Sequence, residues 1–285
     1  MQKVLPLARI AEVASYMDAK VLSYINEGQI ETFESFSDFS IMAFDWYHVS
    51  RPSDTCPKVL IYLDREDLYV LCESDAAAEQ IRTIFDAVNG EVQSASPALT
   101  NGQTLYRFFV RLLKGDVDHL DRLESEINDT ENQVISGLEE GYLDRIIDFR
   151  RELLHLKRYY EQLDSIFDEA EVNDNGLLPR DVVRRFTILG SRTERYLRNV
   201  ENLREYVTQM REAYQSQIDI QQNILMKVFT VVTAIFLPLT LLVGWYGMNF
   251  QMPELQWKYG YPVVILVSVA LVVALIFVFK KKKWL

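Results

Sequence analysis

Reactive side chains are scarce in this sequence of 285 residues: two cysteines, Cys56 and Cys72, and three histidines, His48, His119 and His155. No glycine-rich phosphate loop and no nucleophile constellation accompanies them, so neither catalysis nor a resident cofactor is expected. Two cysteines in an acid-rich segment read as reduced, small core residues rather than a disulfide framework. No nucleic-acid partner is expected of a chain with a formal net charge of -11. Charge is also missing locally. Val228–Met252 and Tyr261–Phe279 contain no charged residue, and from Val228 to Leu285 the only acid is Glu254. Proline and glycine are withheld elsewhere: between Pro179 and Pro238 the only such residue is Gly190.

Each uncharged run supplies at least about 19 residues, enough at roughly 1.5 Å per residue to cross a hydrocarbon layer about 30 Å thick. Two membrane spans are therefore expected. Lys280 to Lys283 follow the second run and Lys227 precedes the first, whereas the connecting FQMPELQWKYG has one Lys and one Glu. This bias places both termini in the cytoplasm and the short loop outside. MQKVLPLARIAEV shows neither a long apolar stretch nor a small-residue cleavage site, so no signal peptide is expected.

The remainder predicts an α+β cytosolic domain followed by long helices. KVLIYLDREDLYVLCE reads as two strands around a polar turn, and SDAAAEQIRTIFDAVN as an amphipathic helix. FSIMAFDWYHV and TLYRFFVRLL are read as further strands. From Gly115 onward, apolar residues recur at helical steps, with a break at EVNDNGLLP. Glu171, Asn173, Asn175 and Gly176 imitate the offsets of a calcium loop, but its twelfth position is Val182, where a bidentate Glu is required. A polar turn between helices is preferred. The expected organisation is an α/β domain over 1–115, a helical hairpin over 116–178 and a stalk helix over 179–250 whose membrane part is about 228–247. A loop over 251–260, a second span over 261–279 and a basic tail over 280–285 complete it.

One helix from Arg180 to Tyr246 would be roughly 100 Å long. Such a rod cannot bury its own faces, so an oligomer is expected around it. With Glu194 at zero on a wheel of about 100° per residue, Glu201, Glu205, Glu212, Asp219 and Asn223 fall within about 20° of it, and Met226, Thr230, Leu237, Leu241 and Gly244 within about 40°. This face is acidic below the membrane and amide, thioether, hydroxyl and small apolar within it. It reads either as a solvated helix face or as a cation path.

At the end of the first span stand Tyr246-Gly247-Met248-Asn249-Phe250, with Pro238-Leu239-Thr240 before them and Met252-Pro253-Glu254-Leu255 after them. With the second span and the basic tail, this set resembles the CorA family of divalent-cation channels, whose signature is Gly-Met-Asn at that place. The resemblance implies a homopentamer that conducts Mg²⁺, with Co²⁺ as a further candidate, and a selectivity ring at Gly247, Met248 and Asn249. It implies that Asn223, Met226, Phe229, Thr233, Leu237, Thr240 and Gly244 line the conduit, to which the wheel adds Glu212 and Asp219 on the cytoplasmic side. Glu254 would gather cations outside. The implied setting is a multi-pass protein of the inner membrane, in contact with its lipid. Family members commonly carry an Asp near the start of the stalk that shares a regulatory Mg²⁺ between subunits. The matching position here is Ile188, so Asp181 or an acid of the α/β domain would have to take its place.

The readings set against this are a relative carrying Zn²⁺, Co²⁺ or Ni²⁺ and a non-conducting scaffold or sensor. Softer ions prefer imidazole or thiolate, and all three histidines and both cysteines precede the first span. Polar Asn249 and small Gly244 disfavour a blocked mouth.

Overall fold

The computed structural model describes residues 1–27, 32–49, 55–93, 99–136, 141–249, 252, 257–282 and 284. Glu254, Lys283 and half of the expected loop lie outside the described residues. Met1–Arg211 forms one compact unit and Glu212–Leu285 a second.

The first unit is built on a sheet of β1 (Gln2–Pro6), β2 (Phe33–Ser35), β3 (Phe39–Asp45), β4 (Lys58–Asp64) and β5 (Leu68–Cys72). Its order is β1-β5-β4-β3-β2, with β1 parallel to β5 and the other pairs antiparallel. Asp64 makes the β4–β5 turn by accepting the amide hydrogens of Glu66 and Asp67 on Oδ1, at 2.8 and 2.6 Å. Strands covered on both faces read as unbroken apolar runs rather than alternating ones. One face buries Leu5, Ile41, Ala43, Leu60, Tyr62, Tyr69 and Leu71 beneath a short turn-rich segment and α1 (Ala19–Glu27). The opposite face meets helices: the ring of Phe44 lies 6.0 Å from that of Phe109 and 6.3 Å from that of Tyr159.

The helices are α2 (Asp75–Gln93), α3 (Asn101–Leu112), α4 (Asp116–Ser136), α5 (Tyr142–Val172), α6 (Arg180–Tyr246) and α7 (Gly260–Lys281). Helix α3 corrects the strand expected at TLYRFFVRLL. Its Phe and Tyr favour strands locally, but Thr100 caps the helix and forms a capping box with Gln103. Leu105, Phe108, Phe109 and Leu112 then fall on one buried face. Packing at helical spacing outweighs the weak β preference of aromatic residues.

The turn between α5 and α6 is the polar connection preferred from the sequence. Asn173 ends α5 in the left-handed region, at φ 46°, and its side chain both donates to Leu178 O and accepts from Leu178 N, at 2.9 and 3.0 Å. Asn175 Nδ2 reaches Phe36 O and Ser40 Oγ, at 2.9 and 2.8 Å, tying the turn to the sheet. These amides are spent on the fold.

Where β3 meets α4 and α5, several ionisable groups are buried together. Glu152 Oε1 accepts from Tyr47 Oη at 2.9 Å and lies 3.0 Å from His119 Nε2. Burial alone would push the Glu152 carboxyl up, but the imidazole and phenol outweigh it and hold the group below its usual range. Asp116, accepting from Tyr160 Oη at 3.0 Å, goes the other way, and burial raises it to about 6. A carboxyl that binds its proton more tightly folded than unfolded costs nothing below its unfolded pKa; the cost accrues as pH rises from that value to the folded pKa and is complete above it. The shift from 3.8 to about 6 corresponds to a cost on the order of 3 kcal/mol at neutral pH. Asp116→Asn keeps an acceptor for Tyr160 and removes the charge. It is predicted to raise the thermal midpoint by roughly 5 °C at pH 7.5 and by much less at pH 4, as read by scanning calorimetry. An equal effect at both pH values would contradict the buried charge.

Candidate functional site

The second unit contains the last part of α6, Glu212–Tyr246, together with α7. Both helices are long and apolar enough to cross a membrane, and almost none of their apolar side chains is covered within the chain. Phe229 and Leu237 are 66% and 69% exposed, Leu241 is 70% and Leu266 69%. Of the large apolar residues on this part of α6, Val231 is buried. Water does not tolerate a surface of this kind, so lipid or further copies of the chain must cover it.

All the expected pathway residues on this helix are exposed: Glu212, Asp219, Asn223, Met226, Phe229, Thr233, Leu237, Thr240 and Gly244. Asp219 Oδ1 accepts from Gln215 Nε2 at 3.2 Å, and among the described residues neither Asp219 nor Glu212 has a cationic partner. In the first unit, the same acidic face is occupied. Glu194 pairs with Arg198, and Glu201 lies 3.4 Å from Lys157 Nζ. Those two carboxylates are answered by cations of the same unit.

The hydroxyls follow one pattern. Thr230, Thr233 and Thr240 each donate to the carbonyl four residues back, Met226, Phe229 and Phe236, at 2.7, 2.7 and 2.8 Å. Their protons are thus committed to the helix, and the oxygen lone pairs face outward as acceptors, the polarity that a hydrated cation needs. Pro238 sits inside the helix and cannot donate to the Ala234 carbonyl, which adds a weakly satisfied backbone oxygen at this level.

Beyond Tyr246, Gly247 N–H donates to Val243 O at 2.8 Å and Met248 N–H reaches Trp245 O at 3.4 Å, so one more turn closes before Asn249. A Cβ at Gly247 would stand 2.8 Å from Val243 O, closer than real side chains come, whereas one at Gly244 would meet nothing within 4 Å. Gly247 is needed for backbone reasons and Gly244 is not. Met248 and Asn249 are exposed.

The expected pathway residues are thus strung along one helix, and a ring of them would require other copies. No three His, Cys, Asp or Glu side chains converge on a possible metal position among the described residues. Ile188 is 60% exposed on α6, and Asp181 accepts from Gln103 Nε2 at 3.5 Å in that helix's first turn. The sequence reading passed over a charged row at the ends of β3, β4 and β5, which only strand register brings together.

Comparison with known proteins places this arrangement. The family model described as CorA-like Mg²⁺ transporter protein matches residues 15–281. A Cobalt/magnesium transport protein CorA of Thermotoga maritima is 31% identical over 212 residues, covering 73% of this chain and 60% of the relative. A Magnesium transport protein CorA of Wolinella succinogenes is 32% identical, covering 70% and 63%. The match therefore spans less than two thirds of either relative's length. In fold, the chain resembles the complete structure of the CorA magnesium transporter from Methanocaldococcus jannaschii, with a TM-score of 0.77 at 18% identity over 97% of this chain and 87% of that one. The full-length CmaX protein is similar too, with a TM-score of 0.72 at 15% identity over 98% and 87%. An α/β N-terminal domain, long helices and two apolar C-terminal helices are shared architecture, and with the family match running through nearly the whole chain, this protein belongs to the CorA-like Mg²⁺ transporter family.

Proposed function

We propose that this chain forms a homopentameric channel in the cell's inner membrane, with both termini cytoplasmic, and that it admits hydrated Mg²⁺, with Co²⁺ as a second permeant ion. The observation that carries this reading is the exposed end of α6. A turn that only Gly247 permits presents Met248 and Asn249 beyond the last residue of a membrane-length helix. The names of the relatives in Thermotoga maritima and Wolinella succinogenes support the choice of ion.

Mg²⁺ dehydrates reluctantly and is held with several of its waters in place. A ring of Asn249 side-chain oxygens and Gly247 carbonyls would hold the hydrated ion by hydrogen bonds to those waters. Neutral acceptors bind weakly enough to release it. Below the ring, the outward lone pairs of Thr240 and Thr233 would continue the contact with water. Leu237, Phe229 and Met226 would form apolar constrictions that close by dewetting. Glu212 and Asp219 would draw the ion out on the cytoplasmic side, and Glu254 would concentrate it outside. A divalent ion moving inward across about 100 mV, inside negative, gains roughly 4.6 kcal/mol, so no coupled reaction is required. With Ile188 at the position of the family's regulatory Asp, closure by internal Mg²⁺ would rest on other carboxylates.

In proteoliposomes reporting Mg²⁺ with an internal dye, Asn249→Ala is predicted to lower influx at least about tenfold, the effect of losing one well-placed polar contact per subunit. Equal flux would sink the ring. Gly247→Ala, which adds only a methyl group, is predicted to reduce flux comparably and more than Gly244→Ala does, since only the first meets backbone within the chain. The reverse ranking would show that the turn is not the mouth. Leu237→Ser is predicted to raise resting flux by wetting a constriction, and no change would remove Leu237 from the gate.

A further inference from the structure

A half-open pocket of about 400 Å³ lies in the first unit, at the end of the sheet face that α1 covers. Its floor is a cross-strand row, Ala43 opposite Leu60 and Leu60 opposite Leu71. Leu7 reaches in from the segment after β1, and Tyr24 and Ile25 from α1; these three are half-buried and supply the apolar wall that stays accessible, while the floor beneath them is buried.

The next row on the same face is charged. Asp45 is opposite Lys58, and Lys58 adjoins Glu73, whose N–H donates to Lys58 O at 2.9 Å. All three line the pocket. Glu73 Oε2 accepts from the backbone N–H of Lys58 at 2.9 Å, and Asp45 Oδ2 accepts from Gln162 Nε2 at 3.4 Å, so each carboxylate keeps an oxygen to offer. Among the described residues, no ion pair joins Lys58 to either acid. An apolar pit therefore ends in two carboxylates flanking one ammonium, spaced by adjacent strands roughly 5 Å apart.

We propose that this pocket binds a free α-amino acid with a large apolar side chain, held as its zwitterion. The ligand's ammonium pairs with Glu73 and its carboxylate takes the neighbouring Lys58 ammonium, with Asp45 on the far side of Lys58 adding a longer-range attraction for the ammonium. The ligand's side chain packs against the half-buried Leu7, Tyr24 and Ile25. The volume lies in the range of small-molecule sites, which pair an apolar lining with a few placed polar groups. A fatty acid would leave both carboxylates facing a like charge, and a simple alkylamine would leave Lys58 unanswered. Nothing in this site depends on the ion pathway.

The test is titration calorimetry on the full chain in detergent, with L-leucine and L-phenylalanine as probes. Isoamylamine lacks the carboxylate and 4-methylpentanoate lacks the ammonium. Both amino acids are expected to bind, with each analogue at least about tenfold weaker, the effect of losing one charge-assisted contact. Glu73→Gln, which retains an acceptor for Lys58 N–H, and Lys58→Gln are each expected to weaken leucine binding by a similar factor with unchanged thermal midpoints. Both residues are exposed at strand ends, so the fold should survive. Absence of binding by both amino acids, equal binding of isoamylamine, or indifference to both substitutions would overturn the proposal.

Discussion

The apolar surface of the second unit dominates the behaviour of this chain, because no single copy can cover it. Along α6 the exposed side chains run from Ile224 and Leu225 to Val243 and Trp245, and α7 exposes Val263, Leu266, Val273 and Phe277 in the same way. At about 25 cal/mol for each Å² removed from water, such helices are driven out of aqueous solvent. Once in hydrocarbon, the backbone must satisfy itself, which a helix does with its own hydrogen bonds. The lysines Lys280, Lys281 and Lys282 at the end of α7 can then reach the interface.

Polar side chains on such a helix become informative because they are expensive there. Thr230, Thr233 and Thr240 reduce the cost by giving their protons to the preceding turn. What remains outward is acceptor character, suited to water around a cation. Asn249 comes at the end of this series, after a glycine whose missing Cβ lets the chain pass close to Val243 O. In the proposed pentamer, permeation and closure use different residues: oxygens carry the hydrated ion, and Leu237 and Phe229 interrupt its water.

Much of this was legible in the residues because it is local. The limits of α6 follow from Pro179 at one end and Gly247 at the other, and the β4–β5 hairpin from the polar DRED between two apolar runs. Helix α3 was misread because Tyr106, Phe108 and Phe109 carry strand preference, while the cap at Thr100 and the burial that decide the matter depend on a turn and on distant partners. The row of Asp45, Lys58 and Glu73 was hidden for a related reason. Asp45 and Lys58 are thirteen positions apart and Lys58 and Glu73 fifteen, and only pairing across three strands aligns them. The stalk acids were only half readable. Spacing put Glu201 on the acidic face, but not Lys157 beside it. A ring of Asn249 belongs to an assembly, and the sequence reached it only through the family's signature.

Passive entry of a hydrated divalent ion is the claim on which the rest turns, and its driving force can be imposed directly. Full-length protein in liposomes, with a potassium diffusion potential set by valinomycin and no nucleotide or proton gradient, should take up Mg²⁺ at a rate that rises as the interior is made more negative. It should release Mg²⁺ when the potential is reversed. Uptake indifferent to the potential, or present only with a proton gradient, would contradict a channel.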